Sequence, residues 1–77
     1  MNPNELTLKQ KEIEGKRVRD WRERLGLSRV ELAAAANVSV SIIEKMEVGL
    51  GGSRAMVDHL HDTLIDVMRA RNRKRRA

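Results

Sequence analysis

Residues Ser28–Val48 read SRVELAAAANVSVSIIEKMEV. Ser28 is followed three residues later by Glu31, the spacing of a capping box. In that box the hydroxyl accepts from an unpaired backbone N–H and the carboxylate reaches back to the cap. The pattern predicts a helix over 29–36 that buries Leu32, Ala33 and Ala36. Asn37-Val38-Ser39 comes next. Asparagine enters the left-handed region more readily than any residue but glycine, so Asn37 can turn the chain in one step. Ser39 then caps a second short helix over about 40–48, with Ile43 and Met46 inward at i, i+3.

Two short helices joined by a tight turn form a helix-turn-helix unit. Its close crossing needs a small residue, supplied by Ala33. Its turn needs a residue that accepts positive φ, supplied by Asn37, with Val38 as a plug. Its second helix needs an apolar pair, supplied by Ile43 and Met46. Upstream, Val18, Trp21 and Leu25 fall at i, i+3 and i+7 and predict a helix over about 16–25. Gly26 closes it as a left-handed cap. Residues from Leu6 onward also have helical composition, but Gly15 interrupts them at a cost of about 1 kcal/mol. Residues 1–4, with the only proline, are expected to fray. Downstream, Gly49, Gly51 and Gly52 make a loop, and Ser53 caps a fourth helix over about 54–70. That helix carries Met56, Val57, Leu60, Leu64, Val67 and Met68 on one stripe, with Ile65 just outside it. No stretch alternates with period two, so no strand is expected. The fold class is all-α, a compact bundle of four helices with short loops. Residues 1–14 form an N-terminal extension of helical composition, 15–70 the domain and 71–77 a basic tail.

The chain has 77 residues, one aromatic residue (Trp21) and no cysteine. Disulfide scaffolds, thiolate zinc sites and cysteine nucleophiles are therefore excluded. No apolar run approaches the roughly 20 residues of a membrane span, and no positively charged start leads into an apolar stretch, so no signal peptide is expected. A cytoplasmic, nucleoid-associated location is expected. Nothing pairs a nucleophile with a base, gathers metal ligands or cradles a phosphate, so no catalytic residue, metal or cofactor is expected. His59 and His61 lie two apart and on different helix faces. Asp58, Asp62 and Asp66 read as the solvated face opposite the core. The net charge is +5, and six of the eight residues 69–76 are basic. Such an excess selects polyanions, nucleic acid before membrane.

Residues 16–49, KRVRDWRERLGLSRVELAAAANVSVSIIEKMEVG, resemble the helix-turn-helix domain of phage repressors and Cro proteins, the xenobiotic-response-element family. The resemblance implies a lambda-repressor-like fold of four helices, or five where the long fourth helix serves for two. It implies a structural pair between Arg22 and Glu47. Leu27-Ser28 matches the family's leucine-serine start of the second helix, Leu32-Ala33 its Leu-Ala within that helix, and Glu47-Val48-Gly49 its Glu-x-Gly ending. Three positions depart from it: Arg29 where glutamine is usual, Asn37 where glycine is usual, and Val40 where arginine or glutamine is frequent.

An α-helix fits the major groove and offers its N-terminal residues to base edges. Ser41, Glu44 and Lys45 point away from the buried side of helix 39–48, with Val40 on the border. Lys45 suits guanine, Glu44 suits cytosine, and the Val40 methyls suit thymine. The resemblance carries base contact onto Ser39, Val40, Ser41 and Lys45. Phosphate contacts are expected at the start of the second helix, from Ser28 and Arg29, where unpaired N–H groups and the dipole favour an anion. Arg54 and the run Arg73, Lys74, Arg75 and Arg76 add charge for the same purpose. The expected function is a sequence-specific DNA-binding transcriptional regulator of the repressor type, a homodimer on double-stranded DNA. The alternative is a protein-interaction module on the same fold, favoured by Val40, Ile42 and Val48, with the basic tail giving non-specific nucleic-acid binding. A membrane-surface role would require the fourth helix to leave the core.

Overall fold

The computed structural model describes residues 2–76, with side chains through Lys74. Among them are four helices and no strand: α1 (Leu8–Arg24), α2 (Arg29–Ala36), α3 (Val40–Glu47) and α4 (Arg54–Arg76). α2 and α3 begin where their caps predict. Ser28 accepts from the Glu31 N–H at 3.0 Å, and the Glu31 carboxylate accepts from the Ser28 N–H at 2.9 Å. Ser39 caps α3 by accepting from the Ile42 N–H at 3.3 Å. Between them Asn37 stands at φ 57°, ψ 46°, the left-handed turn the sequence called for. Val48 caps α3 rather than extending it.

The Ser28 hydrogen bonds hold the Glu31 carboxyl below its ordinary value of 4.5. A depressed carboxylate stabilises the fold above that ordinary value and loses the contribution as pH falls through the lowered one. Glu31→Gln should therefore flatten the acid limb of a thermal-stability profile below about pH 4.5. Superimposable limbs for the two proteins would show that the box leaves the Glu31 charge untouched.

Two expectations for the N-terminal half are corrected. Gly15 does not interrupt α1, which runs unbroken from a second capping box at Thr7 and Gln10. The glycine is there because α1 crosses the end of α3 at that point. A Cβ on Gly15 would overlap the Met46 backbone carbonyl oxygen. The close backbone approach outweighs the propensity cost. Nor does the chain fray through Asn4. The Asn4 carbonyl accepts from the Arg54 N–H at 2.9 Å, and its Oδ1 accepts from the Ala55 N–H at 2.8 Å. Ser53 supplies a third acceptor, to the Met56 N–H at 3.2 Å. The first turn of α4 thus has partners for three N–H groups that a helix cannot satisfy itself. Leu6 follows Asn4 into the core.

Every helix contributes to that core. Val18, Leu32, Ile43, Met46, Val57, Leu60 and Leu64 are all but fully buried. Trp21, Leu25, Leu27, Val38, Val40 and Met56 pack at its margin. α1 and α4 lie side by side in the same sense, with Glu14 beside Arg54 and His61, Trp21 against His61, and Leu25 at Arg71. α3 packs across α1, and α2 bridges α3 and α4. Met68, assigned to the buried stripe, is instead 37% exposed. α4 has 23 residues, about 34 Å of helix, and outruns the globule there. The molecule measures 47 Å along its long axis against 21 and 19 Å across.

Candidate nucleic-acid interface

The outward face of α3 is set by an ion pair at its base. Arg22, in the last turn of α1, donates from Nε to Glu47 Oε2 at 2.7 Å and from Nη2 to Oε1 at 3.0 Å. Its Nη1 donates to the Leu27 carbonyl at 2.8 Å. The Glu47 side chain is 1% exposed and that of Arg22 9%. Two parallel hydrogen bonds match the planar guanidinium to the carboxylate and fix both in orientation. The bond to Glu47 raises the Arg22 pKa above its already high value, against the opposing pull of desolvation. One cluster thus joins the end of α1, the turn into α2 and the last residue of α3.

Arg29 belongs to the same cluster. Its Nε donates to Glu47 Oε1 at 3.0 Å, while the side chain remains 43% exposed. Its two terminal nitrogens make no hydrogen bond among the described residues. Ser28 lies beside it at the start of α2, exposed, with its hydroxyl oxygen already accepting from Glu31.

On α3, Ser39, Ser41, Glu44 and Lys45 are exposed and Val40 is half-buried against the core. Glu44 and Lys45 form no ion pair among the described residues. Ile42 and Val48 lie on the surface too, at 38% and 63% exposure. The glycine loop folds back along this face. Leu50 N–H donates to the Lys45 carbonyl at 2.9 Å, and Gly51 lies beside the Lys45 Cβ. Arg54, just past the loop, is half-exposed with Nη1 4.0 Å from Glu14 Oε2.

The basic segment is helical rather than loose. Arg71 donates from Nη1 to the Leu25 carbonyl at the end of α1, and its charge reaches Glu31 in the first turn of α2. The segment therefore leaves the globule beside the α1–α2 turn. Arg73 and Lys74 are exposed on it. The side chains of Arg75 and Arg76 lie outside those described.

His59 is a further structural residue that escaped the sequence reading. His59 Nε2 donates to the Ala36 carbonyl at 2.6 Å and ties the end of α2 to α4. No local signal marks it, because the partner stands 23 residues away. Trp21 sits half-buried at the α1–α4 seam, its ring centroid 5.6 Å from that of His61. Among the described residues no three His, Asp or Glu side chains gather as metal ligands, and no helix is long and apolar enough to cross a membrane.

A family model described as helix-turn-helix matches residues 18–58. The match takes in most of the second half of α1, both short helices, the glycine loop and the first turn of α4. No curated protein and no solved structure matches the chain.

Proposed function

The chain belongs to the helix-turn-helix family of the Cro and phage-repressor type and is a DNA-binding regulator; from this we propose that it is a sequence-specific repressor that lays α3 in the major groove and pairs on two half-sites. The observation that carries the reading is the exposed edge Ser41–Glu44–Lys45 on a helix whose far end is held by the Arg22–Glu47 pair. An edge held this way meets base pairs in one orientation. Preorganisation of that kind favours sequence discrimination over mere adhesion. Lys45 and Glu44 supply the donor and acceptor for bases, and Ser39 and Val40 stand at the end of the helix that enters first. Ser28, Arg29, Arg54 and Lys74 supply phosphate contacts around them. Arg73, Arg75 and Arg76 add to the basic arm. A bound protein that covers a promoter is enough to block it.

Lys45→Ala tests this most directly. On the preferred site it should cost about 1–3 kcal/mol and relax choice at one base pair. Arg29→Ala should weaken all sequences alike and lower the salt slope by about 1. Titrations of both variants on a selected site and its single mismatches separate the two roles. The opposite assignment of effects would move the recognition surface off α3. The exposed Ile42 and Val48 favour a second reading, a protein-interaction module. That reading requires DNA affinity indifferent to Lys45 and carried by the basic arm alone.

A further inference from the structure

The outer face of α4 changes sign along its length. Asp58, Asp62 and Asp66 follow one another at intervals of four, and Arg69 and Arg73 continue the same face. None of these five makes an ion pair or side-chain hydrogen bond among the described residues. Asp66, Arg69, Asn72 and Arg73 line one surface recess. Beside this charged face, at the edge of the buried stripe, lie Ile65, half-buried, and Met68, 37% exposed. Asp58 and Asp62 flank the buried part of α4, whereas Met68, Arg69 and Arg73 lie where it outruns the globule, and Arg71 ties that end back to the Leu25 carbonyl.

The helix dipole does not account for the pattern. It favours acidic groups at the start of a helix and basic groups at its end, but only within the first and last turns. Asp62 and Asp66 stand in the third and fourth turns of α4. A solvated face needs charge, but it does not need the signs separated into two blocks.

We propose that this half of α4 is the surface on which a second copy of the chain docks, the two helices antiparallel about a two-fold axis between residues 67 and 68. In that register Met68 meets Met68 of the second copy across the axis, with Ile65 of each chain beside the pair. Asp62 meets Arg73 of the second copy and Asp66 meets its Arg69, and the symmetry repeats each contact. Such an interface is isologous, one patch complementary to itself. A parallel alignment would set aspartate against aspartate and arginine against arginine, which disfavours it. The apolar centre is only two residues per chain, and exposed ion pairs are individually weak. The free dimer is therefore weak and forms fully on adjacent half-sites. Arg73 faces an aspartate in this arrangement, while Lys74, about 100° round the helix, keeps its phosphate role.

The proposal names the surface of the pairing put forward above, and its test needs no DNA. One variant carries Asp62→Arg and Asp66→Arg; another carries Arg69→Asp and Arg73→Asp. All four positions are exposed, and circular dichroism checks that both variants fold. Sedimentation over a concentration series should show self-association of each variant weakened about tenfold or more relative to the wild type. An equimolar mixture of the two should associate more tightly than either alone, because every facing pair is then opposite in sign. Dilution of the labelled wild type should move amide resonances over 62–73 first. Wild-type self-association in either variant, or a mixture no tighter than its parts, would overturn the proposal. So would a wild-type chain that shows no concentration-dependent shift on α4. Half-site binding by the Asp62→Arg, Asp66→Arg variant reports on the DNA reading separately.

Discussion

Arg22→Ala is expected to destabilise the fold by about 3–5 kcal/mol, because it strands the Glu47 carboxylate in a site 1% exposed. Arg29 alone would remain to answer that charge, with a single hydrogen bond from Nε. A loss of this size is a large fraction of what a domain holds at roughly 0.05–0.15 kcal/mol per residue. The thermal midpoint should fall by more than about 12 °C. Removing both charges is a different matter. Arg22→Met with Glu47→Leu fills the same volume without a buried ion and should regain most of the loss. A single variant melting within about 2 °C of the wild type would reduce the pair to a surface contact of roughly 0–1 kcal/mol. DNA binding should fall with stability, since the same cluster positions α3.

Gly15→Ala should destabilise, against the sign that helix propensity gives. In an open helix interior alanine is worth about 1 kcal/mol more than glycine. Here the added methyl overlaps the Met46 carbonyl oxygen, a backbone atom that cannot rotate aside. Either α1 and α3 separate or the last turn of α3 unwinds. Overpacking of this kind costs about 1–3 kcal/mol and sometimes more, enough to reverse the propensity gain. Urea unfolding gives the sign directly. A midpoint shifted upward would mean that the crossing opens without cost, and that α3 is less firmly held than the geometry states.

These residues mark the boundary of what sequence could tell. Ser28 with Glu31, Asn37, and Ser39 were legible because each acts on backbone within a few residues, so its chemistry and its target sit in one short window. The buried stripe Val57–Leu60–Leu64 was legible for the same reason, through the helical period. The orientation of Arg22 toward Glu47 came from a family resemblance and not from spacing; nothing local joins two positions 25 residues apart. Gly15 read as a helix breaker because its partner, the Met46 carbonyl, belongs to another helix. Asn4 read as part of a loose end because the N–H groups it satisfies are 51 residues away. Arg29 was assigned to phosphate on charge and position, and its engagement with Glu47 depends on a buried carboxylate that only the packed helices create. Met68 fitted the period of the buried stripe, but period does not say where the globule stops.

The tie between Asn4 and the start of α4 bears on how the chain can be cut. It clasps the two ends of a 51-residue arc that contains α1, α2 and α3. A fragment trimmed to the family-matched segment 18–58 would lose the clasp, the Leu6 plug and the half of α1 that braces Met46. It would keep the helix-turn-helix unit and yet lack the support that makes the unit rigid. The smallest autonomously folding piece must begin no later than Asn4 and extend past Leu64. A circular permutant that opens the glycine loop should cut before Ser53, because Ser53 and Asn4 cap the same helix end and a later cut would part Ser53 from it.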